Sequence, residues 1–215
     1  MSVLTVKNLH VMGKKAMKGM ELKDFSLEIG DGDVVVLTGD KAPLVIAALV
    51  GGAKVLSGEI YVGDYLLPAK SKLVDYHVEF IPCDEDHYLG LAPKKPVKLD
   101  FMAPLKKRKV PAEEIKNRME TAARCLDISH LLDRKPRALS SQQKVRTALG
   151  AAATRFPRLV VMENIFSIST PEYQQGISEA LKATLKALNL TVLFYTTSDK
   201  AELAVEAGVK MVEVN

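Results

Sequence analysis

The chain has 215 residues, of which 47% are hydrophobic, and this length allows one good-sized core with a small attached subdomain. Its net charge of +4 is only mildly basic, and its lysines fall in short scattered groups without interleaved aromatic residues, so nucleic-acid binding is not expected. The longest apolar run, residues 44–50, is far shorter than the roughly 20 residues of a membrane span, and the N-terminal stretch lacks the apolar core of a signal peptide. We therefore expect a cytoplasmic protein without direct membrane insertion, which meets a membrane only through a partner.

The first part of the chain is rich in short segments typical of strands, in which apolar and β-branched residues alternate or run together. We predict strands over residues 4–9, 25–29, 34–37, 59–62 and 77–81. One helix, over residues 43–50, interrupts them and opens on a proline. The surrounding stretch LTGDKAPLVIAALVGG has the outline of a phosphate-binding loop: an apolar run, a glycine turn and a helix.

From about residue 100 the pattern becomes helical. Apolar spacing predicts a helix over residues 112–126, and Ser140 with Gln143 three residues later has the form of a capping box that opens an alanine-rich helix. The remaining predicted elements are a strand over 159–162, a helix over 171–188 capped by Thr170, a strand over 191–197, a helix over 200–207 and a strand over 209–214. This order predicts a layered α/β core that carries a helical subdomain.

The two cysteines, Cys83 and Cys125, lie far apart in the sequence. Neither a CxxC spacing nor a pair of histidines accompanies them, so we expect no disulfide framework and no metal site. A reducing compartment such as the cytoplasm fits this pattern.

Several collinear stretches resemble the ATP-binding cassette (ABC) ATPase family, and most closely the ATPase subunits of maltose-type sugar importers. They are LKDFSLEIGDGDVVVLTGD before the phosphate loop, SGEIYVGD after it, and PAEEIKNRMETAARCLDISHLLDRKPRALS before the family's signature sequence. The resemblance covers nearly the whole chain. It implies an α/β, ABC-type P-loop NTPase-like fold: a mixed sheet core with an N-terminal antiparallel β part and a helical subdomain. We expect a single domain over residues 1–215, with the core at 1–90 and 157–215 and the helical subdomain at 91–156.

The phosphate loop departs from the family pattern. Such a loop needs consecutive backbone N–H groups, glycines that let the chain approach the phosphates, a lysine, and a Ser or Thr for Mg²⁺. Here only Gly39 matches, Pro43 has no N–H, Asp40 adds a negative charge, and the loop is predicted to be about three residues short. Lys41 could reach a phosphate from the turn itself, although a solvent-facing turn lysine is the simpler interpretation.

The acidic positions and the signature sequence are also altered. By the resemblance, Glu163 stands for the family's Mg²⁺-binding Asp and could still meet a metal, whereas Asn164 replaces the Glu that polarises water and cannot accept a proton. In the signature, Ser140 and Gln143 match the family. Two side chains replace its glycines there, at Ser141 and Gln142, and hinder the approach of a phosphate.

Three further positions of the nucleotide site lack the side chain that the family places there. Met12 stands for the adenine-stacking aromatic, Cys83 for a glutamine, and Thr197 for the switch histidine. We therefore interpret all of these positions as vestigial, with no catalytic residue, no metal ligand and no bound cofactor. Since the apolar core pattern is intact while the polar positions are lost, the scaffold still has a use.

Three hypotheses follow. The first is a catalytically inactive ABC ATPase-like protein that acts as a structural or protein-binding subunit, having lost ordinary ATP binding and hydrolysis. Its partner would be a second copy, an active ABC ATPase or a membrane permease that holds it at the inner membrane. The second is an ATP-binding subunit of an ABC transporter, as the degenerate half of a heterodimer with an active ATPase or with a rebuilt site, and only this alternative involves ATP and Mg²⁺. The third is a module that binds another ligand, or a nucleic acid, in the vacated pocket.

Overall fold

The structure, a computed structural model, describes residues 2–67, 77–83, 88–164, 166, 171–197 and 209–215. The chain divides into two compact units. The first comprises Met1–Phe80, Pro157–Ser167 and Leu190–Asn215, and the second comprises Ile81–Phe156 and Ile168–Asn189. The assignment of residues 1–90 and 157–215 to a core and of 91–156 to a helical subdomain stays a prediction.

The described elements follow the predicted order of strands and helices. In chain order they are β1 (Ser2–Gly13), β2 (Glu21–Gly30), β3 (Val34–Thr38), α1 (Ala42–Leu49), β4 (Ala53–Val62), β5 (Tyr65–Leu67), β6 (Val78–Ile81), α2 (Lys98–Lys107), α3 (Ala112–Cys125), α4 (Ser141–Ala153), β7 (Leu159–Met162), α5 (Pro171–Leu188), β8 (Val192–Tyr195) and β9 (Lys210–Glu213). The sequence did not predict β5 or α2. The predicted helix over 200–207 and the Thr170 cap lie outside the described residues.

The first unit contains a four-stranded antiparallel sheet in the order β2-β1-β4-β5. Leu4 pairs with Ile29 of β2 and with Val62 of β4, and all three side chains are buried on one face. Strands β1 and β2 are longer than predicted, because their pairing continues beyond points at which the register shifts. Asn8 and Asp24 adopt positive φ values of 46° and 53° at such points, where local alternation of apolar residues is lost.

The second sheet of this unit has the order β6-β7-β8-β3-β9. Strand β3 is parallel to β8 and to β9, and β7 is parallel to β8. The residues of β7 are all buried, and so are Val192–Phe194 of β8. Their continuous apolar sequences are therefore those of strands covered on both faces.

Helix α1 belongs to the core of the first unit. Seven of its eight residues are buried, Ala42 and Leu44–Leu49, so it is apolar around its whole circumference. It packs against β1 and β4 of the antiparallel sheet and against β8 of the parallel sheet. This explains why its sequence shows no polar face.

A turn of three residues, Gly39–Lys41, joins β3 to α1. Gly39 has a φ of +90°, and a Cβ atom at this position would collide with the carbonyl oxygen of Val214. That carbonyl is held in place because the Val214 N–H donates to the carbonyl oxygen of Thr38 at 2.8 Å. Glycine is therefore required here by the backbone itself.

The second unit consists mainly of helices. Phe101 of α2, Ala122 and Ala123 of α3, and Leu131 form its core with other apolar residues. Helix α4 packs against α3 and α5. The sequence missed α2 because Pro104 lies inside it, although the helix continues to Lys107.

No helix in the described ranges is both long enough and apolar enough to cross a membrane.

Asp33, in the turn before β3, binds to the neighbouring edge strand β9. Its carboxylate accepts hydrogen bonds from the Lys210 ammonium at 2.7 Å and from the Gly30 N–H at 2.9 Å. The hydrogen bond from Lys210, followed by that from Gly30, lowers the pKa of Asp33 below its usual value.

We expect Gly39→Ala to lower the free energy of unfolding by about 1–3 kcal/mol more than Gly51→Ala, as measured by urea denaturation. Gly51 is the matched control, because its φ is +78° but a methyl group there would meet no neighbouring atom within 4 Å. Both variants bear the cost of a positive φ, about 1–2 kcal/mol, and only the first also meets Val214. Equal losses would contradict the described close approach.

We expect Asp33→Asn to destabilise the protein by about 1–2 kcal/mol near neutral pH, because it weakens the contacts with Lys210 and Gly30. Since the folded-state pKa of Asp33 is lowered, this stabilisation is present above the usual carboxyl pKa of about 3.9 and is lost as the pH falls through the folded-state pKa. The difference from the unaltered protein should thus shrink below about pH 4. Denaturation curves across this range, with the exposed neighbour Asp31→Asn as control, give the test; a pH-independent difference would refute the assignment.

Candidate functional site

The carboxyl ends of β3, β7 and β8 lie along one edge of the parallel sheet, because these strands are neighbours and run in the same direction. The structure therefore brings several of the predicted positions to this edge. They are Gly39 and Lys41 after β3, Glu163 and Asn164 after β7, and Thr197 after β8. The N–H of Thr196 donates to the carbonyl oxygen of Leu37 at 3.0 Å, which fixes the end of β8 beside β3.

The first turn of α1 offers no backbone N–H to an anion. The N–H of Ala42 donates to the carbonyl oxygen of Gly39 at 3.1 Å, and the N–H of Leu44 donates to that of Lys41 at 2.9 Å. Pro43, between them, has no N–H. Ordinarily the first N–H groups of a helix have no partner within it and are what binds a phosphate. Here only the turn residues 39–41 have amides outside these contacts.

The side chains along α1 are almost all apolar and buried. Residues 44–47, where the resemblance leads us to expect a lysine and a hydroxyl, all lie in the core. Asp40 is exposed and Lys41 is partly exposed in the turn. The turn thus places one carboxylate beside one ammonium group, so its formal side-chain charge is zero.

Two neutral polar side chains are buried at the same edge without a hydrogen-bond partner among the described residues. They are Asn164, which is 9% exposed with its Oδ1 atom unpaired, and Thr196, which is 1% exposed with its Oγ1 atom unpaired. A buried polar group left unsatisfied costs about 1–3 kcal/mol, so these two atoms are places where a polar ligand or water is expected.

Thr196 was not among the residues that the sequence predicted for the site. The adjacent Thr197 was predicted, and it is exposed. Successive residues of an extended chain point to opposite sides, so only one of the two threonines can face inward. The signal that could have found Thr196 is its position directly after a buried strand, one residue before the expected histidine position.

The adenine position and the glutamine position lie on other elements. Met12 is in β1, where it pairs with Glu21 of β2 and Lys54 of β4 and is 42% exposed. Its thioether side chain can contact a flat ring but has no aromatic face of its own. Cys83 comes after β6 in the chain and belongs to the second unit, where it is partly exposed. Neither Cys83 nor Cys125 forms a disulfide.

The signature residues form the predicted capping box at the start of α4, which is confirmed. The Ser140 hydroxyl oxygen accepts the N–H of Gln143 at 3.3 Å, and the Gln143 Oε1 atom accepts the N–H of Ser140 at 3.0 Å. Both amides are therefore used within the cap. The side chains of Ser141 and Gln142 occupy the first two helical positions, Ser141 partly exposed and Gln142 exposed.

Few acidic side chains lie at this edge of the first unit in the described ranges. Glu163 is the single carboxylate that follows β7, and it is partly buried. Nowhere in the described ranges do three or more His, Cys, Asp or Glu side chains form a group that could hold a metal ion. Asn164 supplies an amide oxygen but no base.

Many curated proteins are similar to this chain, and two of them serve as examples. The trehalose/maltose import ATP-binding protein MalK of Thermococcus litoralis is 32% identical over 186 residues, which cover 84% of this chain and 50% of the relative. The sn-glycerol-3-phosphate import ATP-binding protein UgpC of Bartonella bacilliformis is 29% identical over 202 residues, covering 90% of this chain and 55% of the relative. The chain thus spans about half the length of the curated relatives it matches. No protein-family model matches it.

Among solved structures, the chain is similar to cbiO1 of Clostridium perfringens, which is described as part of the ABC transporter complex cbiONQ. The TM-score is 0.75 at 22% identity, over 92% of this chain and 79% of the other. This confirms the predicted fold, an α/β ABC ATPase architecture with an antiparallel sheet, a parallel sheet and helices. The import ATP-binding protein MalK is 32% identical over 84% of this chain. This identity, together with the shared fold, shows that the chain belongs to the ABC ATPase family.

Proposed function

We propose that this chain is an ATP-binding-type subunit of an ABC importer and that it is the degenerate half of a pair with an active ATPase. Relatives named as import ATP-binding proteins favour a transporter subunit over a structural protein unconnected with transport. The proposal of a degenerate site rests on the turn at residues 39–41, because this turn leaves the first turn of α1 without a free amide for a phosphate.

The β- and γ-phosphates of a nucleotide would lose several hydrogen bonds at this turn. A charge-assisted hydrogen bond contributes about 1.5–3 kcal/mol, so losing a lysine and two amides removes roughly 4–9 kcal/mol. At about 1.4 kcal/mol per tenfold change, this is about three to six orders of magnitude in affinity. The dipole at a helix N-terminus stabilises a nearby anion by only about 0.3–1 kcal/mol. The chain's own phosphate loop should therefore hold no magnesium nucleotide at ordinary concentrations.

Hydrolysis at this site would meet a second obstacle. Asn164 follows β7 where a carboxylate would activate water, and an amide cannot take up a proton near neutral pH. The side chain is also buried, and no described residue donates a hydrogen bond to its Oδ1 atom. We therefore assign no catalytic residue to this chain.

The pair would use the start of α4 instead. In this proposal, Ser140 lies opposite the partner's nucleotide, and its hydroxyl hydrogen is still available because the cap uses only the hydroxyl oxygen as an acceptor. Ser141 and Gln142 then limit how closely backbone N–H groups can approach that nucleotide. The active partner supplies its own phosphate loop, acids and Mg²⁺. A permease would hold the pair at the inner membrane.

The first test is calorimetry of the purified chain with Mg²⁺-ATP, for which we expect no binding in the micromolar range. The Lys41→Gln variant is the matched control, because Lys41 is the single cation of the turn. Both proteins should give the same flat titration, with circular dichroism confirming that both are folded. Binding with a micromolar dissociation constant that is lost in Lys41→Gln would contradict the proposal. It would mean that Lys41 takes the role of the family's phosphate-binding lysine and that the site binds nucleotide.

The second test measures the ATPase rate of the pair after co-purification from the native cells. We expect the double variant Ser141→Gly and Gln142→Gly to raise the rate several-fold, because it restores the approach of backbone N–H groups to the partner's nucleotide. The same positions changed to Ala form the matched control, since a Cβ atom remains and the rate should stay unchanged. An unchanged rate in the glycine variant would instead support a purely structural subunit.

A further inference from the structure

Six basic side chains of the second unit surround the start of α2. The N–H of Val97 donates to the carbonyl oxygen of Arg134, and the N–H of Lys98 donates to that of Leu132, each at 2.8 Å. These bonds bring the turn before α2 against the segment around residue 134. We define the α2 basic cluster as Lys94, Lys95, Lys98, Arg134, Lys135 and Arg137.

The cluster is exposed and carries more positive than negative charge. All of its members except Lys98 are exposed, and the Lys98 side chain is itself 43% exposed. Lys98 pairs with Asp133 at 2.6 Å, and in the described part of the chain the other five form no ion pair within 4 Å. Asp100 of α2 interacts electrostatically with Lys95, while its Oδ1 atom accepts the N–H of Ala92 and its Oδ2 atom is buried.

The positive charges act together because they are close. Each member lies within three residues of the hydrogen-bonded pair Val97 and Arg134, which is at most about 10 Å along the chain. That distance is about one Debye length in physiological salt, so each side chain contributes to the potential around the pair Val97 and Arg134. The positive end of the α2 dipole adds to them.

The backbone of this region does not form a pocket for a single phosphate. After the bonds of Val97 and Lys98, the N–H of Leu99 donates to the carbonyl oxygen of Pro96 and that of Asp100 donates to the carbonyl oxygen of Val97. Every amide of the first turn is thus occupied. What remains is a broad surface of flexible ammonium and guanidinium groups, which suits an extended anionic surface better than a small anion.

We propose that the α2 basic cluster binds the anionic phospholipid headgroups of the membrane beside which the subunit works. This inference rests on the proposed transporter function, which places the chain next to a membrane. Leu99 supports it, because this apolar side chain is 36% exposed next to Lys98 and can enter the headgroup boundary. No aromatic residue occurs among residues 94–98 or 132–137, so bases of a single-stranded nucleic acid would find nothing to stack on.

The test is co-sedimentation of the full chain with vesicles of equimolar phosphatidylcholine and phosphatidylglycerol, and with vesicles of phosphatidylcholine alone. We expect binding to the anionic vesicles only, weakening as salt is raised. The triple variant Lys94→Gln, Lys95→Gln and Lys135→Gln should reduce partitioning about 100-fold, from about 1 kcal/mol per lysine near an anionic surface. The matched control is Lys14→Gln, Lys15→Gln and Lys18→Gln, which removes the same charge from exposed lysines of the first unit and should reduce it far less.

Three outcomes would overturn the proposal: no binding to anionic vesicles, equal losses in the two triple variants, or salt-sensitive binding to a single-stranded oligonucleotide in preference to vesicles. Circular dichroism of both variants checks that they are folded. Since the vesicles contain neither permease nor nucleotide, a negative result leaves the proposed pairing untouched. Likewise, nucleotide binding in the calorimeter would remove the degenerate-site proposal without affecting the vesicle result.

Discussion

The burial of helix α1 is the constraint on which the first unit depends. The helix contacts both the antiparallel sheet and the parallel sheet, and apolar side chains cover it on all sides. Each fully buried Val, Leu or Ile contributes about 1.5–3 kcal/mol, so a lysine or a hydroxyl among residues 44–47 would carry a large desolvation cost. The turn of three residues that begins at Gly39 places the start of this helix directly after β3. In our proposal, the arrangement that completes the core is also the reason why the start of the helix lacks the donors that a phosphate needs.

Two buried polar groups at this edge of the sheet are neutral. Asn164 and Thr196 have oxygen atoms without a hydrogen-bond partner in the described part of the chain. Neutral groups of this kind can hold water or a polar ligand, but they do not stabilise a triphosphate or activate a nucleophile. For this reason we propose that the chain works alongside an active partner, and the relatives that are named as import ATP-binding proteins are the basis for proposing an importer.

Much of the architecture could be predicted from local pattern, because core strands and capped helices leave strong local signals. The capping box at Ser140 and Gln143 is an example, since both partners lie within one turn. Helix α2 was missed because Pro104 argues against a helix interior. The inward position of Thr196 rather than Thr197 also escaped prediction, because it depends on the pairing of β8 with β3, which are far apart in sequence. Local patterns do not contain such long-range register.

Our proposal requires that the turn at residues 39–41 no longer binds a phosphate. A crystal structure of the chain soaked with Mg²⁺ and an adenine nucleotide at millimolar concentration would test this directly. We expect no phosphate density against Gly39 or the start of α1, and an unchanged hydrogen bond from the Ala42 N–H to the Gly39 carbonyl oxygen. Phosphates bound to the amides of this turn, with the helix start opened to receive them, would contradict it.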